Sequence, residues 1–397
     1  MNAFLPADIL LPKTDHMEKW AVIACDQFTS DQGYWDRVRK NAEGAVSTIN
    51  LILPEAELGT EKEAAHTAEI NATMKKYVDE GVFTVYPNSY IYVERTLENG
   101  SIREGLVGMV DLDAYDYNPG ATSAIRATER TVPERIPPRQ RVRRDAPIEL
   151  PHVLMLCDDH DKKLIEPIGA KKDSLKKVYD FDLMEGGGHI TGWLVEGKDV
   201  DDFNKALTEY TATVGEKYVG LKGTPMVFAV GDGNHSLAAA KRFWEEKRET
   251  LPPNERQTDP ARFALVEVEN IHEPSLDFEP IHRVLFDTDT SDFARSLAAH
   301  RAEWEAKDKT LGERVAAAES FCRAYIAGHG GTIDYIHGDD TARSLGEKPN
   351  CAAVLLPPVE KNGLFLSVLK NGALPKKSFS MGNARDKRYY LECRKIL

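Results

Sequence analysis

Between Met226 and Lys241 the chain reads MVFAVGDGNHSLAAAK, five apolar residues, a glycine-bracketed polar turn and an alanine-rich helix former. Gly231 and Gly233 permit positive φ and close approach. A strand that turns straight into a helix leaves unpaired backbone N–H groups at the helix start, where the helix dipole adds positive potential. An anion fits such a place. Asn234 and Ser236 are natural N-cap residues, and Asp232 and His235 add an acid and a titratable imidazole at the mouth. A plain strand–helix turn is the competing reading.

The spacing excludes one phosphate loop and weakens another. Walker A needs Gly-Lys-Ser/Thr after a fixed spacer, and Lys241 lies five residues beyond Ser236. The dinucleotide fingerprint matches only twice, because Ser236 occupies the third glycine position.

Two basic stretches could hold phosphate oxygens. Seven arginines fall between Arg126 and Arg144, opposed within that stretch only by Glu129 and Glu134; guanidinium forks suit phosphate. Lys376 and Lys377 stand beside Ser378 and Ser380, while Arg385, Lys387 and Arg388 read as an exposed helix face.

If a phosphate held there were to react, the site would also need a metal anchor and a group that positions or deprotonates the nucleophile. Asp26, Asp158, Asp159 and Asp232 each fall just after an apolar run. Asp232 is the first choice for contact with Mg²⁺, which takes oxygen ligands, and Asp26 for general base; His235 joins them as a catalytic candidate. Each also suits a cap or turn. His189, His272 and His282 lack H-x-x-x-H or H-E-x-x-H spacing, and His272, Glu273, Glu279 and His282 read as a structural turn. Cys25 has no local base and reads as packing.

The positioning elements follow from periodicity. Lys19–Phe28 and residues 81–97, 101–115 and 261–271 read as strands, with 81–97 and 101–115 as a hairpin, and 151–168 and 186–196 each hold a strand near a polar turn. Residues 55–80, 201–218, 234–250 and 291–327 read as helices, and 351–372 as strand–turn–strand. Residues 118–147 carry four prolines after Pro119 and cannot be one regular element. The expected fold is α/β or α+β with a mixed sheet in residues 1–288 and a smaller C-terminal region, 289–397, packing back on it.

Composition narrows the class. The 397 residues are 42% hydrophobic and 29% charged, as in ordinary globular proteins. A net charge of −13 opposes a general nucleic-acid surface. No apolar run reaches the roughly 18 residues of a membrane span, and no signal-peptide pattern opens the chain. Five scattered cysteines without a C-x-x-C pair suit a reducing compartment. A cytoplasmic location is expected, and a homo-oligomer is compatible with these features.

Asp232-Gly233-Asn234-His235-Ser236 with Ala238 and Ala239 resembles the D-G-x-H-R-x-x-A box of the ParB and sulfiredoxin superfamily, in which a helix N-terminus binds nucleotide phosphates. Ser236 stands where that box has arginine. Six blocks in order, WAVIACDQFTS, SAIRATERTVPERIPPR, ELPHVLMLCDD, GDGNHSLAAAK, FEPIHRVLF and LPKKSFSMGNARDKRYYLECRKI, resemble the domain-of-unknown-function family 1015 over nearly the whole chain. Superfamily relatives include proteins that hydrolyse CTP, an ATP-dependent sulfinic acid reductase and an ADP-dependent free serine kinase. The resemblance implies nucleotide-dependent phosphoryl chemistry with ATP, ADP or CTP, and a hydroxylated metabolite such as a free amino acid as acceptor. Arg126, Arg130 and Arg135, within the family-like block, are the expected suppliers of the charge missing at Ser236. A non-catalytic nucleotide sensor or partner-binding regulator would use the same cradle without turnover, and a nucleic-acid role is disfavoured by charge.

Overall fold

A computed structural model of the chain describes residues 2–397 except 30, 56, 57, 59, 62, 222 and 224. The fold is mixed α/β, built on a large mixed sheet. Part of the helix expected at 55–80 falls on residues outside those described; the helix itself runs Glu63–Asp79.

Two long strands, Phe83–Thr96 and Ile102–Asp111, form the expected hairpin, with Ile91 opposite Val107 and Tyr92 opposite Leu106. Residues 89 to 93 are all buried, so this stretch does not alternate between core and solvent. Both faces are covered. Ile91, Val93 and Val107 enter one apolar cluster, while Tyr90, Tyr92 and Leu106 enter another. That two-sided burial is why the segment reads as a continuous apolar run.

The central path of the sheet is Lys176–Asp182, His189–Val195, Phe83–Thr96, Ile102–Asp111, Phe263–Asn270, Leu154–Cys157, Phe228–Asp232, Ile125–Ala127 and Tyr115–Asp116. Its first strands pair antiparallel. Around Phe228–Asp232 the sense mixes: that strand is antiparallel to Leu154–Cys157 and parallel to Ile125–Ala127. Helix Asn234–Thr250 follows at once and buries Leu237, Ala240, Phe243 and Trp244 against one core. The spacing of three and four residues makes that apolar stripe.

The proline-rich stretch resolves into strand Ile125–Ala127, a 3₁₀ turn Pro133–Arg135 and helix Ile136–Arg144. Pro137 and Pro138 sit in the helix's first turn, where no intrahelical N–H bond is lost.

Other sequence expectations are corrected. The helix expected over 291–327 is three pieces, Thr290–His300, Ala302–Glu305 and Leu311–His329, because Thr310 and Glu313 form a capping box that starts a new helix. Residues 364–371 are a helix and not a strand, with Leu364, Phe365 and Val368 buried at helical spacing. Only Val22–Ile23 of the first apolar run is a strand, paired with Tyr389–Tyr390.

A second sheet centres on Phe278–Phe286, antiparallel to Thr332–His337, Cys351–Val354 and, at its other end, Phe379–Met381. The tail then returns to the large sheet's side: Tyr389–Tyr390 pairs with Val22–Ile23, and Arg394–Lys395 with Ile148–Glu149. Arg388 is buried, not on an exposed helix face. Its Nε donates to Glu267 at 2.7 Å and its Nη2 to Glu392 at 2.6 Å. Arg394 likewise donates to Glu149 at 2.7 Å. No helix among the described residues is long and apolar enough to cross a membrane.

Removing one partner of a buried ion pair strands the other charge. Arg388→Ala is therefore expected to lower unfolding free energy by about 3–5 kcal/mol, measured as a drop in the urea midpoint.

Candidate functional site

Two glycines shape the loop, each for a different reason. A Cβ on Gly231 would lie 2.5 Å from Met381 Sδ and 3.1 Å from Leu156 Cγ, so glycine admits the Phe379–Met381 strand across the loop. Gly233 has φ +80° and turns the chain from strand to helix in one residue. A side chain there would be strained and would meet Val153 Cα at 3.0 Å. Gly233→Val would therefore disturb folding before it reported on ligand binding.

Gly233 itself is the N-cap, with no side-chain cap bond, which corrects the expectation for Asn234 and Ser236. The first intrahelical bond runs from Leu237 N–H to Gly233 O at 3.0 Å. The amides of residues 234, 235 and 236 precede it. Asn234 Oδ1 is buried without a hydrogen-bond partner among the described residues.

The loop faces a cleft of about 910 Å³. Gly231 through Ser236 form one wall, and Asp26 and His152 lie alongside. Arg130, Arg135 and Arg139 come from the proline-rich stretch, and Lys376, Lys377 and Lys387 from the segment leading to the tail. The smaller sheet contributes Glu279, Ile281 and His337.

The loop residues, Asp26, Arg130, Arg135, Lys376 and Lys377 line this cleft, and Arg126 does not. Arg126 pairs in register with Ala229, three residues before Asp232 and so roughly 10 Å short of the loop. It is buried, and its Nε donates to Ser123 O at 2.9 Å. Asp158 and Asp159 are also elsewhere: Asp158 binds His272 at 2.7 Å and Lys217 at 2.6 Å, and Asp159 accepts the Lys163 and Leu164 N–H groups of a turn.

The cations divide into two kinds. Arg135 and Arg139 share Glu55 at 3.5 and 3.3 Å. Lys387 Nζ lies 3.2 Å from Asp232 Oδ2. Arg130, Lys376 and Lys377 have no carboxylate within 4.0 Å among the described residues and stand exposed on the cleft.

The acids also differ. Asp232 Oδ1 accepts the Gly233 N–H at 2.9 Å, and Oδ2 pairs with Lys387. No group of three His, Cys, Asp or Glu side chains among the described residues is placed to hold a metal ion. Both oxygens of Asp232 are thus engaged by protein groups. Burial pushes the Asp26 carboxyl up, but His152, the Gln27 hydrogen bond, Lys387 and Arg139 together hold it below the usual carboxylate range. Asp26 is ionised.

Sequence reasoning missed Glu129. Ile125–Ala127 runs level with Phe228–Val230, and two residues past that ladder Glu129 bridges Leu374 at the edge of the cleft. Its Oε1 accepts the Ser378 N–H at 3.2 Å. Burial, with Asp232 adding to it against Ser378, Lys377 and Lys387, pushes the carboxyl up to about 7. The usable signal was a carboxylate just past a short β-type run, hidden because AIRATE read as part of the arginine loop. His152, Arg139 and Lys387 were missed as well.

His152 joins the loop to the tail. Its Nε2 lies 3.4 Å from Ser236 Oγ and its Nδ1 2.8 Å from Tyr390 OH, which donates to Cys25 Sγ at 3.0 Å. Burial pushes the Cys25 thiol up to about 12, so it stays protonated and is no nucleophile.

His235 is a neutral acceptor. Val132 N–H donates to its Nε2 at 3.1 Å, which leaves the ring proton on Nδ1. Burial first, then Arg139 and Arg135, push its pKa down to about 4. It is therefore no cationic clamp at neutral pH.

A family described as "Protein of unknown function (DUF1015)" matches residues 5–395. No curated protein matches. Among solved structures, a free serine kinase in complex with AMP is 9% identical with a TM-score of 0.37, over 72% of this chain and 91% of that one. SbnI with C-terminal truncation from Staphylococcus aureus is 10% identical with a TM-score of 0.31, over 70% and 82%. A conserved hypothetical protein from Pyrococcus furiosus is 10% identical with a TM-score of 0.31, over 71% and 90%. Likeness at this level establishes no shared site.

His235 gives a pH prediction. Its pKa is depressed from 6.5 to about 4 on folding, so the unfolded chain binds the proton more tightly. The stability it contributes is present above pH 6.5 and lost as pH falls toward 4. Urea midpoints at pH 7, 5.5 and 4.5 should fall in that order, and His235→Asn, which does not titrate, should flatten the decline.

Proposed function

The chain belongs to the DUF1015 family, and we propose that its cleft binds nucleotide phosphates and supports phosphoryl transfer to a small hydroxylated acceptor. One observation carries this reading. Six cations and five carboxylates line the cleft, so its net charge is small, yet Arg130, Lys376 and Lys377 are unclaimed beside a helix start. Phosphate oxygens complement that arrangement, accepting from the amides of residues 234 to 236 and from charged donors.

In this reading the phosphates lie along the helix start, with Arg130 on one side and Lys376 and Lys377 on the other. They take the part the sequence assigned to Arg126 as well. Arg135 and Arg139, held by Glu55, define the wall and keep His235 neutral. The donor is ATP, ADP or CTP. The resemblance to the superfamily implies a free amino acid such as serine as acceptor.

The test is calorimetric titration with ADP, ATP and CTP. Lys376→Ala, Lys377→Ala and Arg130→Ala should each weaken the best of them about three- to tenfold, because partly exposed charge contacts are screened. Raising salt from 50 to 200 mM should weaken wild-type binding further. Absence of binding by all three nucleotides, or equal affinity in the three variants and wild type, would rule the reading out.

A further inference from the structure

The cleft needs a group that can accept a proton from a hydroxyl, and its carboxylates are not equivalent. Asp232 is neutralised by Lys387 and its own loop N–H. Asp26 is held ionised below the usual range, so it is a weak base. Glu55 is shared by two arginines. Glu129 differs from these. One oxygen is fixed by the Ser378 N–H at 3.2 Å, and Oε2 has no hydrogen-bond partner among the described residues and faces the cleft that Glu129 lines. The donor follows Lys377, whose φ of 59° is a left-handed conformation that bulky residues avoid. A strained backbone beside a cleft is a mark of a site held to a particular geometry.

We propose that Glu129 takes the proton from the acceptor's hydroxyl during phosphoryl transfer. The inference rests on the nucleotide-binding reading above. The acceptor O–H gives its proton to Glu129 Oε2 as its oxygen forms a bond to the terminal phosphorus. The bond from that phosphorus to the bridging oxygen breaks, and the nucleotide, shorter by one phosphate, leaves with the electron pair. The groups facing Glu129 are Asp232 at the strand end, Lys377 and Ser378 in the preceding turn, and Lys387 in the tail. Burial and Asp232 outweigh the other three, and a carboxyl near 7 can both accept a proton and release it at neutral pH. Asp26 low and Glu129 high are two carboxylates pushed apart by their surroundings, the pattern that separates acid–base roles.

The experiment uses the full chain with two readouts. Calorimetry measures ADP binding, and phosphorus NMR follows transfer from ADP or ATP to L-serine and a panel of small alcohols. Glu129→Gln keeps the shape and the bond from Ser378 N–H. It should bind ADP at pH 6 within about threefold of wild type while transfer falls at least 100-fold, the lower end for loss of a general base. Glu129→Asp should recover part of the rate. Wild-type transfer should rise from pH 6 to 8, and the residual rate of Glu129→Gln should not. Transfer by Glu129→Gln within fivefold of wild type would overturn the assignment. So would a wild-type chain that binds ADP and transfers to nothing in the panel, which leaves nucleotide binding standing. A wild-type chain that binds no nucleotide fails at the earlier reading instead.

Discussion

Arg388 lies between Glu267 and Glu392, in an interior where a cation without such partners would be several kcal/mol too costly. Glu267 belongs to the strand Phe263–Asn270, so this contact ties the tail to the middle of the large sheet. Its neighbours in sequence then have little freedom. Lys387 is delivered to Asp232, and Tyr390 to His152 behind Ser236. Arg95 and Arg103, from the central hairpin, hold the carbonyls of Asp386 and Lys387 at 2.7 to 3.0 Å. The cleft is thus assembled by residues from both ends of the chain, and the buried guanidinium sets how they meet.

The electrostatics of that cleft follow from pairing more than from composition. An acidic protein with a net charge of −13 has many carboxylates to spare, and Glu55 and Asp232 absorb Arg135, Arg139 and Lys387. What remains for an anion is the unpaired cations and the helix start. The same paired arginines discourage protonation of His235, whose Nε2 is already committed to Val132 N–H. A titratable imidazole in the sequence is a neutral acceptor in the fold.

Much of the architecture was legible because local rules governed it. The strand, turn and helix around Gly231 to Ser236 follow from an apolar run, two glycines and a helical apolar stripe. The hairpin of Phe83–Thr96 with Ile102–Asp111 follows from β-rich composition. Legibility failed where two rules competed. Residues 364–371 are short and apolar enough to suit either element, and packing chose helix. The 291–327 helix has continuous helical composition, and one capping box divides it.

The sequence by itself determined the loop's backbone, glycine at 233 because the turn needs positive φ; that no side chain caps the helix start was decided by the fold. It also determined that cations would cluster in segments 126–144 and 376–388. Which of them face the loop was decided by tertiary structure. Parallel register places Arg126 level with Ala229, below the cleft, while Glu129, past the end of that ladder, bridges Leu374 and reaches it. Burial then raises Glu129 and lowers His235. Spacing along a chain specifies φ, caps and periodicity; strand register and dielectric surroundings depend on residues a hundred or more positions away.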